Sequence, residues 1–343
     1  MVMVGHYLEL YRGAQSFTPH IYILDMIFKS KVAFLLNQNY WVYLFYAVSG
    51  YLVAKSKISN IRELLVKSVN RFLRLAFPIF FSYALIYLIY IAIGFHASET
   101  TALFNCEWFQ THYTRTYSIV DVLISPIAVL LFGSFKMNEP YWMLHDMFVA
   151  SLIIYFLKYL IAVLDASKYE SITFSLLIII TILFNAVSPC VSTCLMGMLI
   201  SLYEKSDINT KPCFAFWIVI MTMVIGILPA TIRQSLFFAA LIAFTPRLKL
   251  LDSLLSSKPL QFIGNISWGI YSFHWPIFGS IGALLLLAFC DQMGLVKAYF
   301  STFIISFVVV VLISIGFYYT FERISKVLSQ NVMGLISTIV GER

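Results

Sequence analysis

Apolar residues fill this chain in long, nearly unbroken stretches separated by short polar breaks. The stretches fall near residues 34–54, 75–95, 141–164, 171–187, 190–203, 213–229, 232–246, 261–289 and 299–321. Many approach the roughly 20 residues that carry an α-helix across a bilayer. They are too long and continuous for the alternating strands of a membrane barrel, and hydrocarbon offers the backbone no third way to pair. The pattern predicts an all-α fold, a polytopic membrane helical bundle. A further segment, IVDVLISPIAVLLFGSF (119–135), is apolar but ambiguous as a span. The opening MVMVGHYLEL is apolar only as far as Leu8, then meets Glu9 and Arg12. That is too short for a span or a signal peptide, and it reads as the last turns of a first helix that begins upstream.

Composition agrees. Of 343 residues, 61% are hydrophobic and only 11% charged, against about 25% charged in a soluble domain. No soluble domain, internal repeat, low-complexity tract or long linker interrupts the pattern, so one membrane domain is expected over 1–343.

Charge sets the topology. The net charge of +7 invites a nucleic-acid reading, but six cations (Lys55, Lys57, Arg62, Lys67, Arg71, Arg74) and one anion, Glu63, cluster between two apolar spans. Positive-inside bias explains that cluster and places it in the cytoplasm, with no nucleic acid as partner. The Arg247–Lys258 stretch and the tail cations Arg323 and Lys326 belong on the same side. Crossings can be counted consistently between these anchors only if 119–135 does not cross. About ten transmembrane helices follow, the partial first one included, with both termini inside. Residues 96–140 then lie outside, with a short re-entrant or interfacial helix at 119–135.

Cys106, Cys190, Cys194, Cys213 and Cys290 form no paired framework. Cys190 and Cys194 share a helical face without a nearby histidine to complete a zinc site, so no metal is expected. HExxH, phosphate-loop and dinucleotide-binding glycine patterns are absent.

Chemistry rests on a few polar residues in apolar surroundings. In VNRFLRLAFPIFFSYALIYLIY, Arg71 and Arg74 stand three apart at the mouth of a span and share a helix face. They either snorkel to lipid phosphate or clamp the phosphate of a soluble cofactor through paired guanidiniums. His274 falls mid-span, where an ionisable group is a functional candidate by default, although Tyr271, Trp275 and Pro276 around it suit a packing role as well. Ser49-Gly50 reads as helix packing, Trp142 as an aromatic-belt residue, and Glu322 as an interfacial partner of Arg323.

Three further stretches accompany the arginine segment in order: YWVYLFYAVSGYLV (40–53), NEPYWMLHDMFVASLIIY (138–155) and FIGNISWGIYSFHWPIF (262–278). Together they resemble the acyltransferase-3 family of membrane acyltransferases, which includes bacterial O-antigen and exopolysaccharide O-acetyltransferases. The resemblance covers nearly the whole chain. It implies an integral protein of the bacterial inner membrane that moves an acetyl group from cytoplasmic acetyl-coenzyme A to a saccharide hydroxyl. The acceptor is a cell-surface polysaccharide or its lipid-linked precursor, and no metal takes part. By the same resemblance Arg71 and Arg74 serve the donor site, and His6, in VMVGHY, is the catalytic histidine. Acyl transfer to an alcohol needs a base that is neutral near pH 7, which imidazole supplies. Glu9, one turn from His6, could orient the ring. The chain departs from the family pattern at Met143 and Met147, where Thr and Glu are usual, and in FERIS near its end. Two other readings are a transporter or flippase for a lipid-linked sugar and an inactive, truncated homologue. A transporter favours internal repeats and polar midplane clusters, neither of which stands out here.

Overall fold

The computed structural model describes residues 1–13, 22–30, 36–103, 107–204, 230–245 and 249–341. Among them every regular element is a helix. Five helical stretches are long and apolar enough to cross a membrane: Ile61–Ala92, Glu139–Val163, Glu170–Val187, Ser267–Met293 and Leu295–Ile336. The apolar stretch at 213–229 lies outside the described residues.

The helices are α1 (Val2–Gly13), α2 (Tyr22–Lys29), α3 (Gln38–Ala54), α4 (Ile61–Ala92), α5 (Glu107–His112), α6 (Ile119–Phe132), α7 (Trp142–Val163), α8 (Glu170–Val187) and α9 (Pro189–Tyr203). They continue as α10 (Ala230–Phe244), α11 (Lys249–Leu255), α12 (Lys258–Asn265), α13 (Ser267–Ile277), α14 (Ala283–Met293), α15 (Leu295–Phe317) and α16 (Arg323–Gly341). Short π-helical turns, Phe278–Gly282 and Tyr318–Glu322, join α13 to α14 and α15 to α16.

Helix α4 starts earlier than its apolar run. Asn60 Oδ1 accepts the Glu63 backbone N–H at 2.9 Å and so caps the helix. The Glu63 carboxylate accepts the Ser59 backbone N–H at 2.7 Å. At 32 residues the helix is about 48 Å long, well beyond the roughly 30 Å of hydrocarbon. Its first turns, with Arg62, Lys67 and Arg71, therefore extend the cationic segment as helix rather than loop. Helix α6 is the opposite case. Asp121 accepts the Ser118 backbone N–H at 3.0 Å, and Gly133 in the left-handed region, φ 62°, ends the helix after 14 residues. That is about 21 Å, short of a bilayer core.

By contact the chain divides into two compact units. The first comprises Met1–Asn39, Arg74–Trp142 and Gln261–Gln330. Its centre is α13 packed on α15, with α1 and the turn Glu139–Tyr141 against α13. The apolar window of Ser267–Met293 is 61% buried, compared with 11% for Glu170–Val187, and the burial concentrates in α13 and the π turn after it. Gly269 permits this packing, since a Cβ there would lie 2.7 Å from Cα of Ser314.

The second unit comprises Tyr40–Leu73, Met143–Leu260 and Asn331–Arg343. Here α9 lies between α8 and α10, with the Thr193 and Ser235 hydroxyls 2.6 Å apart. Helices α3 and α9 approach backbone to backbone. A Cβ on Gly50 would sit 1.8 Å from the Cys194 carbonyl oxygen, and one on Gly197 would sit 2.1 Å from that of Ala47. Small residues at such crossings let van der Waals packing hold helices together where lipid removes the hydrophobic drive. Lys158 Nζ donates to the carbonyls of Ala54 and Ser56, putting a cation where the α3 dipole ends in partial negative charge.

The α3–α9 crossing yields a test. Gly50→Ala must push the two backbones apart, an overpacking cost of about 1–3 kcal/mol, and should lower the melting temperature of the purified protein. Gly316→Ala, where a Cβ meets nothing within 4 Å, should not. Equal melting curves for the two variants would contradict the close crossing.

Candidate active site

His6 comes from α1 and His274 from α13, separated by 268 residues in sequence. Both are buried, at 7% and 0% exposure. His6 Nδ1 lies 2.8 Å from His274 Nε2, with the two rings stacked at 5.0 Å between centroids. Trp275 closes edge-on over His6 at 5.5 Å.

The other nitrogen of His274 settles the proton positions. His274 Nδ1 lies 3.0 Å from the Ile270 carbonyl oxygen, and a carbonyl only accepts, so Nδ1 carries the hydrogen. In a neutral imidazole the second nitrogen is then an acceptor. His274 Nε2 therefore receives a hydrogen from His6 Nδ1, and the lone pair of His6 resides on Nε2. The order Ile270 carbonyl, His274, His6 fixes both ring orientation and tautomer. Glu9 lies half-buried one turn along α1.

The supports of this pair are local. Tyr7 OH donates to the Tyr299 carbonyl at 2.7 Å, and Tyr299 OH donates to the Tyr7 carbonyl at 2.9 Å. This reciprocal bond ties α1 to α15 immediately beside His6. On α13, Asn138 Nδ2 donates to the Ser272 carbonyl at 2.8 Å. The Tyr141 hydroxyl stands 2.7 Å from Ser272 Oγ and 2.6 Å from Ser82 Oγ. Tyr271 donates to the Pro140 carbonyl and stacks on Tyr141 at 5.7 Å. Pro276 and the π turn that follows interrupt the regular backbone ladder just after His274. Such turns often mark functional sites.

The two arginines differ in their surroundings. Arg71, half-buried, donates from Nε to Ser151 Oγ at 3.1 Å and from a terminal nitrogen to Ser49 Oγ at 2.9 Å. Within its own unit it thus bridges α3, α4 and α7. Arg74 is exposed and lines a cleft of about 290 Å³ with Pro78, Trp268, Tyr318, Glu322, Arg323 and Lys326. The expected pairing of Glu322 with Arg323 is not formed among the described residues. Neighbours in sequence diverge on a helix: Arg323 lies over the Tyr319 ring at 5.0 Å, and Glu322 Oε1 is buried without a hydrogen-bond partner. Trp268 and Ser329 were not singled out by sequence, because an aromatic near a span end and a serine in an amphipathic tail carry no distinctive pattern.

The all-helical fold with its long apolar helices is that of a membrane protein, and it brings two imidazoles together in its interior. The family model described as an acyltransferase domain, acyltransferase-3, matches residues 1–319, and the chain belongs to this family of membrane acyltransferases. Comparison with curated proteins and with solved structures gave no match.

Arg71 supplies the test of this geometry. Arg71→Lys keeps the charge but cannot reach both hydroxyls with a planar fork. Losing one half-buried charged hydrogen bond costs about 1.5 kcal/mol, so the melting temperature without any ligand should fall. An unchanged melting temperature would mean that the serine bridge contributes nothing to the fold.

Proposed function

We propose that this protein is a membrane O-acyltransferase of the bacterial inner membrane. It moves an acetyl group from cytoplasmic acetyl-coenzyme A to a hydroxyl of a cell-surface saccharide (O-antigen, capsule or exopolysaccharide) or its lipid-linked precursor. Family membership supports the reaction class. The observation that carries the mechanism is the bond between His6 and His274, which leaves a lone pair on a defined atom, His6 Nε2.

The acceptor hydroxyl gives its proton to His6 Nε2 as its oxygen attacks the thioester carbonyl. The carbon–oxygen bond forms, the carbon–sulfur bond breaks, and the coenzyme thiolate takes the proton back from the imidazolium. His274 is a positioning residue: its Nε2 holds the His6 Nδ1 hydrogen and stabilises the imidazolium while the proton is on loan. Arg71 and Arg74 serve the phosphates of the donor. In the accompanying topology the chain crosses about ten times with both termini inside, and 96–140 faces outside with α6 re-entrant or interfacial.

Labelling tests the topology. In a chain freed of its own cysteines, Arg115→Cys should react with an impermeant reagent from outside and Arg62→Cys should not. The opposite pattern removes the ten-crossing arrangement.

Replacement tests the chemistry. His6→Ala should insert normally yet lose about 10²–10⁴ in turnover. His274→Gln keeps an acceptor for the His6 Nδ1 hydrogen and should retain more activity than His274→Leu. The rate falls as pH drops and the base is protonated. Near-normal turnover in a folded His6→Ala variant would remove His6 from the mechanism.

A further inference from the structure

The cleft at Arg74 holds more chemistry than one arginine. It brings together the cations Arg74, Arg323 and Lys326 and a single carboxylate, Glu322. Trp268 Nε1, Glu322 Oε1 and Ser329 Oγ, all lining it, are buried and lack hydrogen-bond partners among the described residues. Buried polar atoms are nearly always paired in a folded chain, so a cluster of exceptions in one cleft points to a ligand. The π turn Tyr318–Glu322 sits at its wall, as such turns often do at binding sites. All of these residues belong to the first unit.

The donor and acceptor sets define the ligand. Three cations call for a group with more than one negative charge, of which phosphate esters are the usual form. A carboxylate in the same cleft would repel phosphate. It must face a hydrogen-bond donor on the ligand, such as an exocyclic amine. The indole N–H of Trp268 needs an acceptor, and its ring, with that of Tyr318, offers a flat apolar face. Phosphates, an amine and a planar aromatic ring together describe an adenine nucleotide. A phosphate with an amine but no ring describes an aminoethyl phospholipid headgroup. The two aromatic side chains favour the nucleotide.

We infer that this cleft seats the nucleotide end of the acyl donor, with Arg323 and Lys326 sharing its phosphates with Arg74 and Glu322 reading the adenine amine. This rests on the donor assigned above. Trp268 and His274 lie on the same helix, six residues apart, or about 9 Å of rise. Tyr271 stands between them, 6.4 Å from Trp268 and 6.3 Å from His274 between ring centroids. A thioester arm extending from the seated nucleotide along α13 would run toward the histidine pair.

The probe is adenosine 3′,5′-bisphosphate, titrated onto the purified full chain in phosphatidylcholine nanodiscs. The doubly substituted Arg323→Ala, Lys326→Ala protein should bind it at least tenfold more weakly and show a similarly raised KM for acetyl-coenzyme A, with kcat unchanged. Both positions are exposed, so folding should survive, and Arg323→Lys should recover part of the affinity. Glu322→Gln should lose the preference for adenosine over inosine bisphosphate, because inosine carries an oxygen in place of the amine. Unaltered affinity and KM in the double variant overturn the cleft assignment while leaving the acyltransferase reading intact. So does competition in which phosphatidylethanolamine binding depends on these cations and bisphosphate does not bind. If the unsubstituted protein neither binds the bisphosphate nor uses acetyl-coenzyme A, the donor itself is wrong, and the cleft assignment falls with it.

Discussion

One hydrogen bond between two imidazoles organises the first unit. A buried polar group without a partner costs about 1–3 kcal/mol, and hydrocarbon offers no water to supply one. His6 and His274 satisfy each other, at 2.8 Å, only if α1 lies directly against α13. The reciprocal Tyr7–Tyr299 bonds then bring α15 to the same point, and Gly269 lets α13 close onto Ser314 of α15. The arrangement is one in which packing and chemistry impose the same requirement. Separating the helices breaks the Nδ1–Nε2 bond and with it the constraint that puts the lone pair of His6 on Nε2.

The second unit is held differently. It relies on small residues at crossings and on cations at helix ends, seen in Gly50 and Gly197 between α3 and α9 and in Lys158 at the end of α3. Arg71 belongs to the same strategy, since its guanidinium links serines on α3 and α7. A charge half-buried among hydroxyls is a framework element as much as a ligand group. Either role alone would make lysine a poor substitute, so activity loss on Arg71→Lys says little unless unliganded stability is measured alongside it.

Fold class was legible because apolar runs of spanning length leave a chain few alternatives in lipid. The helix boundaries were less so. Helix α4 begins at Ile61, well before its apolar run, since the Asn60–Glu63 cap and good helix formers extend it beyond the stretch that hydropathy marks. His6 and His274 were each visible, His274 as an ionisable group in mid-span and His6 through the family pattern. Their pairing was not, because nothing local to either position encodes a partner 268 residues away. Glu322 shows the converse failure. Reading it as a partner for Arg323 used sequence adjacency, whereas helix geometry and the π turn send the two side chains to different neighbours.

The distance between the cationic cleft and the histidine pair bears on how a charged donor is used at a buried site. Multiply charged phosphate is far too costly to move into hydrocarbon, so a donor of this type must keep its nucleotide where cations and water meet. The part of it that can travel is the uncharged thioester arm. In the proposed arrangement the arm runs along α13 past Trp268 and Tyr271 toward His274. The base at the end of such a route must be neutral when the arm arrives and must hold a proton only briefly. A histidine whose second nitrogen already donates to another neutral imidazole meets both conditions.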